Sequence, residues 1–361
     1  MLREYGGTRR RNCESGKIGA RAHRVPINIM REEILSLLAG HKTDKVPTFS
    51  GLIHVTAEGL NREGFSLHEV HHDAQKMAKA AASTFRLTGM PSAALPLDLC
   101  APAEALGATL NFYENSDHLF PQPAQFLFSS TRYINQTLVD RADFVHKGRL
   151  DLIRDAIRLL KEDIGSDIVI SGIIPGPYTL LLYLTESSSL FAEMKREPNA
   201  VRDALFQLAY FLSQCGAAYR DAGADFITVH EMGGSPGFIG PTMFEQFVFP
   251  SVQQLISRLP GATVLSVCGN TNRAVGLLAL TGADAVSVDQ TNDLMLSRAM
   301  LKDILLFGNL DPVATLEQGD ESEITAAVRG AKEAGVDAVW PGCDLAPLTP
   351  IENLKALIAV S

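Results

Sequence analysis

The stretch Ala222-Gly223-Ala224-Asp225-Phe226-Ile227-Thr228-Val229-His230-Glu231 joins the end of a helix to an apolar strand that stops at two polar residues. A glycine in this place is typical of a helix C-cap, and the short apolar run after it is typical of a buried strand. The same arrangement recurs at Thr281-Gly282-Ala283-Asp284 and at Ala334-Gly335-Val336-Asp337. Repeated units of helix, glycine and buried strand predict an α/β protein with a parallel sheet.

The rest of the chain extends this alternation to eight strands with helices between them. A (β/α)8 TIM barrel is therefore the predicted fold class. A doubly wound sheet is the alternative, but it predicts a glycine-rich phosphate loop after the first strand, and the sequence has none there. The predicted strands cover residues 46–49, 93–97, 167–170, 225–229, 263–267, 285–288, 304–307 and 338–340.

Composition and charge narrow the class of protein. The chain has 361 residues, of which 46% are hydrophobic and 20% charged, as in ordinary globular proteins. The formal net charge of −9 argues against a nucleic-acid partner, which needs a basic face. No apolar run reaches the roughly 18 residues of a membrane span. Five cysteines without a pairing pattern fit a reducing compartment, so we expect a cytoplasmic protein.

The N-terminal segment differs from the remainder. Residues 1–29 are rich in arginine, glycine and serine, include Arg9-Arg10-Arg11, and lack an apolar period. They also lack the apolar region of a secretory signal. We expect a disordered extension over residues 1–29 and a single barrel domain over residues 30–361.

Two cysteines lie just after the predicted strands at 263–267 and 338–340, at Cys268 and Cys343. In a barrel the carboxyl ends of the strands meet at one mouth, where chemistry takes place. Two thiols there indicate a thiolate site for a soft metal such as zinc, although most free cysteines are small buried hydrophobes. Other polar residues follow the same strand ends, and they are Asp98, Tyr178, His230, Glu231, Asp289 and Asn309.

Four segments carry a resemblance to a known family: Glu104-Ala105-Leu106-Gly107, Pro175-Gly176-Pro177-Tyr178-Thr179-Leu180, Gly308-Asn309-Leu310-Asp311-Pro312 and Pro341-Gly342-Cys343 with Thr349-Pro350. Together they resemble the uroporphyrinogen decarboxylase superfamily over about residues 30–358. The resemblance implies a TIM barrel and one of two chemistries. One is decarboxylation of uroporphyrinogen without a cofactor, and the other is zinc-dependent methyl transfer from a methylated corrinoid protein to a thiol.

The residues favour the methyltransferase branch, which resembles the methylcobamide:coenzyme M methyltransferases. Decarboxylases carry an Arg-Gln-Ala-Gly-Arg-Tyr signature after the first strand, but this chain has Ser50-Gly51-Leu52-Ile53-His54-Val55 there. Arginine is the residue best suited to pair the many carboxylates of that substrate. Decarboxylases also place a histidine near the last strand end, where this chain has Cys343.

The resemblance implies a zinc site with one departure. The methyltransferases carry His-x-Cys after the fifth strand and a further cysteine after the eighth, and Cys268 and Cys343 match the two cysteines. Ser266 stands at the histidine position, and serine is a poor zinc ligand. Either another residue completes the site or the site has decayed. Asp289 is the predicted replacement ligand, because a related zinc barrel has a carboxylate there, with Glu231 and His230 next.

The resulting hypothesis assigns Cys268 and Cys343 as catalytic ligands of zinc, with Asp289 as the third ligand. Substrate contacts are expected from Asp98, Tyr178, His230, Glu231 and Asn309. The methyl donor would be a methylcobamide on a corrinoid protein, and the acceptor a thiol such as coenzyme M or, failing that, a tetrahydropterin. The alternatives are a decarboxylase-like enzyme acting on a tetrapyrrole and a non-catalytic corrinoid- or tetrapyrrole-binding protein.

Overall fold

A computed structural model describes residues 27–41, 43, 45–116, 118–138 and 142–360, with the backbone alone for 27–29 and 142. Of the predicted disordered extension, residues 1–26 lie outside the described residues. Residues 27–29 already belong to the first helix, Ile27–Leu38, so the helical region begins three residues before the predicted domain boundary at 30. No helix among the described residues is long and apolar enough to cross a bilayer.

The centre of the protein is a parallel sheet of seven strands arranged in chain order, which is a TIM-barrel-like architecture. Every neighbouring pair of these strands is parallel. The strands, named in chain order, are β1 Ser92–Leu95, β2 Val169–Pro175, β3 Phe226–Glu231, β4 Thr263–Val267, β5 Ala285–Val288, β6 Leu305–Leu310 and β7 Ala338–Pro341.

The predicted first strand, residues 46–49, is reduced to a single parallel bridge between Thr48 and Val339 of β7. Phe49 N donates to Val339 O at 3.3 Å, and Ser50 N donates to the Ser92 hydroxyl at 2.9 Å. This extended segment therefore lies between the last and first strands of the sheet. Pro47 contributes to the short pairing, because proline has no N–H to donate to a ladder.

Helices alternate with the strands, and short helices also occur in the loops at the strand ends. The long helix Pro198–Ala222 ends at Gly223, whose φ of 117° suits the predicted glycine cap. The other α-helices are Ala57–Glu63, Ala74–Thr88, Ala101–Ala105, Thr131–Leu138, Leu150–Ile164, Pro177–Leu184, Ser187–Arg196, Pro236–Ile239, Pro241–Met243, Phe249–Arg258, Val275–Leu278, Leu294–Leu301, Glu321–Glu333 and Ile351–Ala359. The remaining elements are 3₁₀ turns at Glu69–His71 and Ala142–His146, a π-helical turn at Phe244–Val248, and an antiparallel pair of Leu110–Asn111 with Gln122–Pro123.

Aromatic side chains pack together beneath the carboxyl ends of the strands. Phe49 contacts Phe226, Phe307 and Trp340 edge-on, at centroid separations of 6.3, 5.6 and 5.1 Å. All four rings are fully buried. Gly51 is required beside them, because a Cβ on this residue would lie 2.6 Å from the Trp340 ring. These rings form a close-packed aromatic layer that supports the carboxyl ends of the strands.

Candidate metal centre

Three strands of the sheet, two of them adjacent, bring three potential metal ligands to one point. His230 lies near the end of β3, Cys268 directly follows β4, and Cys343 comes two residues after β7. β4 ends at Val267 and β7 ends at Pro341, and Gly269, with a φ of 77°, lets the chain turn after β4. The two thiols that are 75 residues apart in sequence thereby meet at the carboxyl edge of the sheet.

The ligand atoms of His230, Cys268 and Cys343 all lie within 4.8 Å of one another, and the described residues contain no other such group of three. The two Sγ atoms are 2.8 Å apart. His230 Nε2 is 3.3 Å from Cys268 Sγ and 3.8 Å from Cys343 Sγ. One nitrogen and two sulfurs therefore face a common point, which is the donor set that zinc prefers.

Hydrogen bonds and charges within the cluster shift the pKa values of all three groups. The hydrogen bond between the thiols lowers the pKa of Cys343 and raises the pKa of Cys268. Burial lowers the pKa of the His230 imidazole, but the charges of Asp344 and Cys343 outweigh it and raise that pKa to about 9. One cysteine is therefore predisposed to be a thiolate, which is the form that binds metals.

Glu231 was predicted to contact substrate, but both of its carboxylate oxygens accept hydrogen bonds from other residues of the protein. Its Oε1 accepts from the Thr179 hydroxyl at 2.5 Å and from Gly234 N at 2.9 Å. Its Oε2 accepts from Tyr178 N at 3.1 Å, at the start of the helix Pro177–Leu184. Burial raises the pKa of Glu231, and the bond from Thr179 opposes that rise. Glu231 therefore ties the loop after β2 to the loop after β3.

Tyr178, also predicted to touch substrate, points into the protein. Its side chain is fully buried, and its hydroxyl lies 3.4 Å from Met194 Sδ on the helix Ser187–Arg196. Asn309 lies at the strand ends, but its amide donates to the backbone oxygens of Asp289 and Asn292, at 3.1 Å each. The Tyr178 hydroxyl and the Asn309 amide NH2 therefore bond to the protein around the carboxyl edge of the sheet, and neither is directed at the thiols.

Asp289, the predicted third ligand, does not join the group of three. Its Oδ1 accepts from the backbone and hydroxyl of Thr291, at 2.9 and 2.6 Å, and from the Asn292 amide at 2.9 Å. Its Oδ2 accepts from Gly269 N, the residue after Cys268. These donors occupy both carboxylate oxygens. Asp289 is therefore placed to hold the Cys268 loop, and the structure brings His230 to the thiols instead.

Asp98 sits in a buried charge cluster. Its carboxylate accepts from both terminal nitrogens of Arg149, at 2.8 and 3.2 Å, and lies 3.1 Å from His71 Nδ1. Arg149 Nε also donates to Glu104 at 2.7 Å. Burial raises the pKa of Asp98, but the Arg149 charge and the His71 hydrogen bond outweigh it and hold that pKa well below its usual range. No oxygen of Asp98 is left without a partner for a substrate.

We expect Arg149→Ala to destabilise the protein by about 3–5 kcal/mol, because it leaves the Asp98 carboxylate buried without its counter-charge. Urea unfolding at pH 7 measures this loss. The native pKa of Asp98 is depressed, so its stabilising contribution is present above the unfolded pKa of about 3.9 and is lost as pH falls. Without Arg149, burial raises the folded pKa of Asp98, so the variant takes up a proton first and the difference from wild type should begin to shrink above about pH 4 and continue to shrink as the pH falls.

The matched control is Arg132→Ala, which removes an exposed arginine paired with Glu197 at 2.7 Å. Exposed pairs contribute little, so this variant should unfold at nearly the wild-type urea concentration. Equal stability of the Arg149 and Arg132 variants at pH 7 would contradict the role given to the buried pair.

Asp344 was not among the predicted site residues, although it directly follows Cys343. Its Oδ1 accepts from Ile53 N at 2.8 Å, and burial raises its pKa to about 6, against the opposing charge of His230. The only signal in the sequence was its position next to a candidate ligand. Asp344 is half-buried, and its negative charge raises the pKa of the His230 imidazole, so it favours a cation at this centre.

Comparisons with known proteins show which proteins the chain is similar to. A sequence profile described as Uroporphyrinogen decarboxylase (URO-D) matches residues 30–361. The chain is 29% identical over 335 residues to methylcobamide:CoM methyltransferase MtaA of Methanosarcina barkeri, covering 91% of this chain and 96% of that protein. It is 27% identical over 342 residues to methylcobamide:CoM methyltransferase MtbA of Methanosarcina acetivorans, with the same coverage. A solved methyltransferase from Methanosarcina mazei superposes with a TM-score of 0.87 at 28% identity, covering 92% of this chain and 97% of that one.

Proposed function

Because the chain belongs to the uroporphyrinogen decarboxylase family, we propose that it is a zinc-dependent methyltransferase that moves a methyl group from a methylated corrinoid to a thiol. The observation that carries this proposal is the convergence of His230, Cys268 and Cys343 within 4.8 Å. Support also comes from relatives named methylcobamide:CoM methyltransferases, of whose length the chain covers 96%. The donor would be a methylcobamide on a corrinoid protein, and coenzyme M is the leading acceptor.

The donor set fits zinc in two respects. One imidazole nitrogen and two sulfurs suit a borderline-soft ion, and three protein ligands leave the fourth position of a catalytic site open. Of the two imidazole nitrogens of His230, Nε2 is the one that lies near both sulfur atoms, so Nε2 would be the ligating atom. In this proposal His230 takes the ligand position that we predicted for Asp289 from the sequence.

Each residue of the centre has a definite task in this proposal. Cys268, Cys343 and His230 would hold the ion, and Asp289 would hold the Cys268 loop in place. A zinc ion bound there would lower the pKa of the acceptor thiol, so that the acceptor is present as a nucleophilic thiolate at neutral pH. The reaction would join the acceptor sulfur to the methyl carbon, and the electron pair of the broken carbon–cobalt bond would remain with the corrinoid substrate.

The surroundings of the centre are consistent with this chemistry. The four described cysteines are free thiols, as a thiol enzyme in a reducing cytoplasm requires. The extended segment at residues 46–49, which lies in space between β7 and β1, bridges to β7 at Thr48. As an eighth strand it would complete a barrel in one domain over residues 30–361. Asp98, Tyr178, Glu231 and Asn309 would shape the mouth through their bonds to the protein.

The proposal is tested by incubating the purified protein with methylcobalamin and one acceptor at a time. We expect loss of the methyl–cobalt absorbance with coenzyme M and its abolition by a zinc chelator, with recovery when zinc is restored. If a tetrahydropterin supports demethylation of methylcobalamin and no thiol does, the assignment of a thiol as acceptor would be overturned.

The competing decarboxylase activity is tested separately with uroporphyrinogen. We expect no coproporphyrinogen above a reaction without enzyme, because Ser50-Gly51-Leu52-Ile53-His54-Val55 supplies no arginine for the substrate carboxylates. Formation of coproporphyrinogen together with no methyl transfer would replace the proposed function with decarboxylation.

A further inference from the structure

Three buried polar side chains lie side by side on neighbouring strands below the metal centre. His230 of β3 is the register partner of Ser266 of β4, and Ser266 is the register partner of Ser287 of β5. Register partners in a parallel sheet point to the same face, and neighbouring strands are roughly 4.8 Å apart. The imidazole and the two hydroxyls therefore form a row on one face of the sheet.

None of the three has its hydrogen-bonding capacity met by the described protein atoms. His230 Nδ1, Ser266 Oγ and Ser287 Oγ are all without a partner, and all three residues are fully buried. Buried polar atoms in folded proteins are nearly always hydrogen-bonded, so three such atoms in adjacent places require an explanation. A nearby pair provides the contrast, because the hydroxyls of Ser171 and Thr228 bond each other at 2.8 Å.

The orientation of the imidazole connects this row to the thiols. His230 Nε2 faces the sulfur of Cys268 at 3.3 Å, so Nδ1 lies on the other side of the ring. A histidine that binds a metal through one nitrogen usually donates the N–H of the other to a fixed acceptor. That second bond selects the tautomer and sets the ring orientation.

We infer that Ser266 is the positioning residue of the His230 ligand. Its hydroxyl accepts from His230 Nδ1–H through one bridging water, and the Ser287 hydroxyl extends the same chain of bonds. Ser266 therefore keeps the Nε2 lone pair directed at the metal and does not itself bind the ion. This inference rests on the proposed function, because it assigns a role relative to a metal held by His230.

The experiment measures the zinc affinity of the full-length protein by competition with a chromophoric chelator. We expect Ser266→Ala to weaken zinc binding by about 10- to 100-fold and Ser287→Ala to weaken it less. Ser266→Thr keeps the hydroxyl and should bind zinc nearly as wild type does. The matched control is Ser297→Ala, which removes another buried, unpartnered hydroxyl, on the helix Leu294–Leu301, and should leave the affinity unchanged.

A second readout separates positioning from general loss of structure. The ¹⁵N chemical shifts of His230 in the zinc-loaded protein report which nitrogen carries the proton, and Ser266→Ala should broaden or shift the Nδ1 signal while Ser297→Ala does not. If Ser266→Ala binds zinc with wild-type affinity while His230→Ala binds it weakly, the role inferred for Ser266 would be overturned. The proposed metal centre would still stand. A wild-type protein that binds no zinc would instead overturn the proposed function.

Discussion

The double variant Cys268→Ser/Cys343→Ser is expected to bind no zinc and to lose thiol-dependent methyl transfer by at least about three orders of magnitude. Serine hydroxyls do not readily deprotonate, so the variant retains the shape of the site but loses both sulfur ligands. Without the ion, the acceptor thiol keeps its ordinary pKa of about 8.5 and is a weak nucleophile at neutral pH. Zinc content and the rate of methylcobalamin demethylation measure the two effects.

The matched control for this variant is Cys215→Ser, which alters a buried thiol in the long helix Pro198–Ala222. It should retain zinc and activity, provided that circular dichroism shows both variants to be folded. Demethylation at the wild-type rate in the folded double variant would contradict the assignment of the two thiols.

The second large effect is expected from the ligand histidine. His230→Ala should weaken zinc binding by about three orders of magnitude, since it removes one of three protein ligands and leaves two thiols to hold the ion. Ser266→His alone should destabilise the protein, because a second imidazole would have to fit beside His230 at a fully buried position.

Exchange of the two residues should restore part of the lost affinity. Ser266 is the register partner of His230, so an imidazole moved to residue 266 starts from the neighbouring strand at the same level of the sheet. His230→Ser/Ser266→His should therefore bind zinc more tightly than His230→Ala. Chelator competition compares the three variants, and zinc binding by His230→Ala as tight as wild type would show that His230 is not a ligand.

Much of the sheet could be predicted from the sequence, because apolar runs bounded by glycine mark buried strands. The strands Thr263–Val267 and Ala285–Val288 have their predicted bounds. The strand Val169–Pro175 runs five residues beyond its predicted end at 170, since Gly172 and Pro175 resemble turn residues in isolation. The glycine fits there because the strand packs closely on Tyr219, about 3.0 Å from a Cβ at residue 172.

The thiol pair was predicted from the sequence, whereas His230 was named only as an alternative to Asp289 for the third ligand. Which strand-end residues meet depends on register between strands, and register is a three-dimensional property that no local pattern contains. His230 therefore stood behind Asp289 in the prediction, although β3 and β4 place it against Cys268. Likewise, Arg149 lies 51 residues from Asp98 in sequence, so nothing near Asp98 indicated its buried partner.

We propose that an acceptor thiol binds directly to an ion held by His230, Cys268 and Cys343. Zinc X-ray absorption spectroscopy of the purified protein, before and after addition of coenzyme M, tests it most directly. We expect two sulfur ligands and at least one nitrogen ligand before addition, and one further sulfur ligand afterwards. Zinc with an unchanged sulfur count in the presence of a thiol that is being methylated would contradict it.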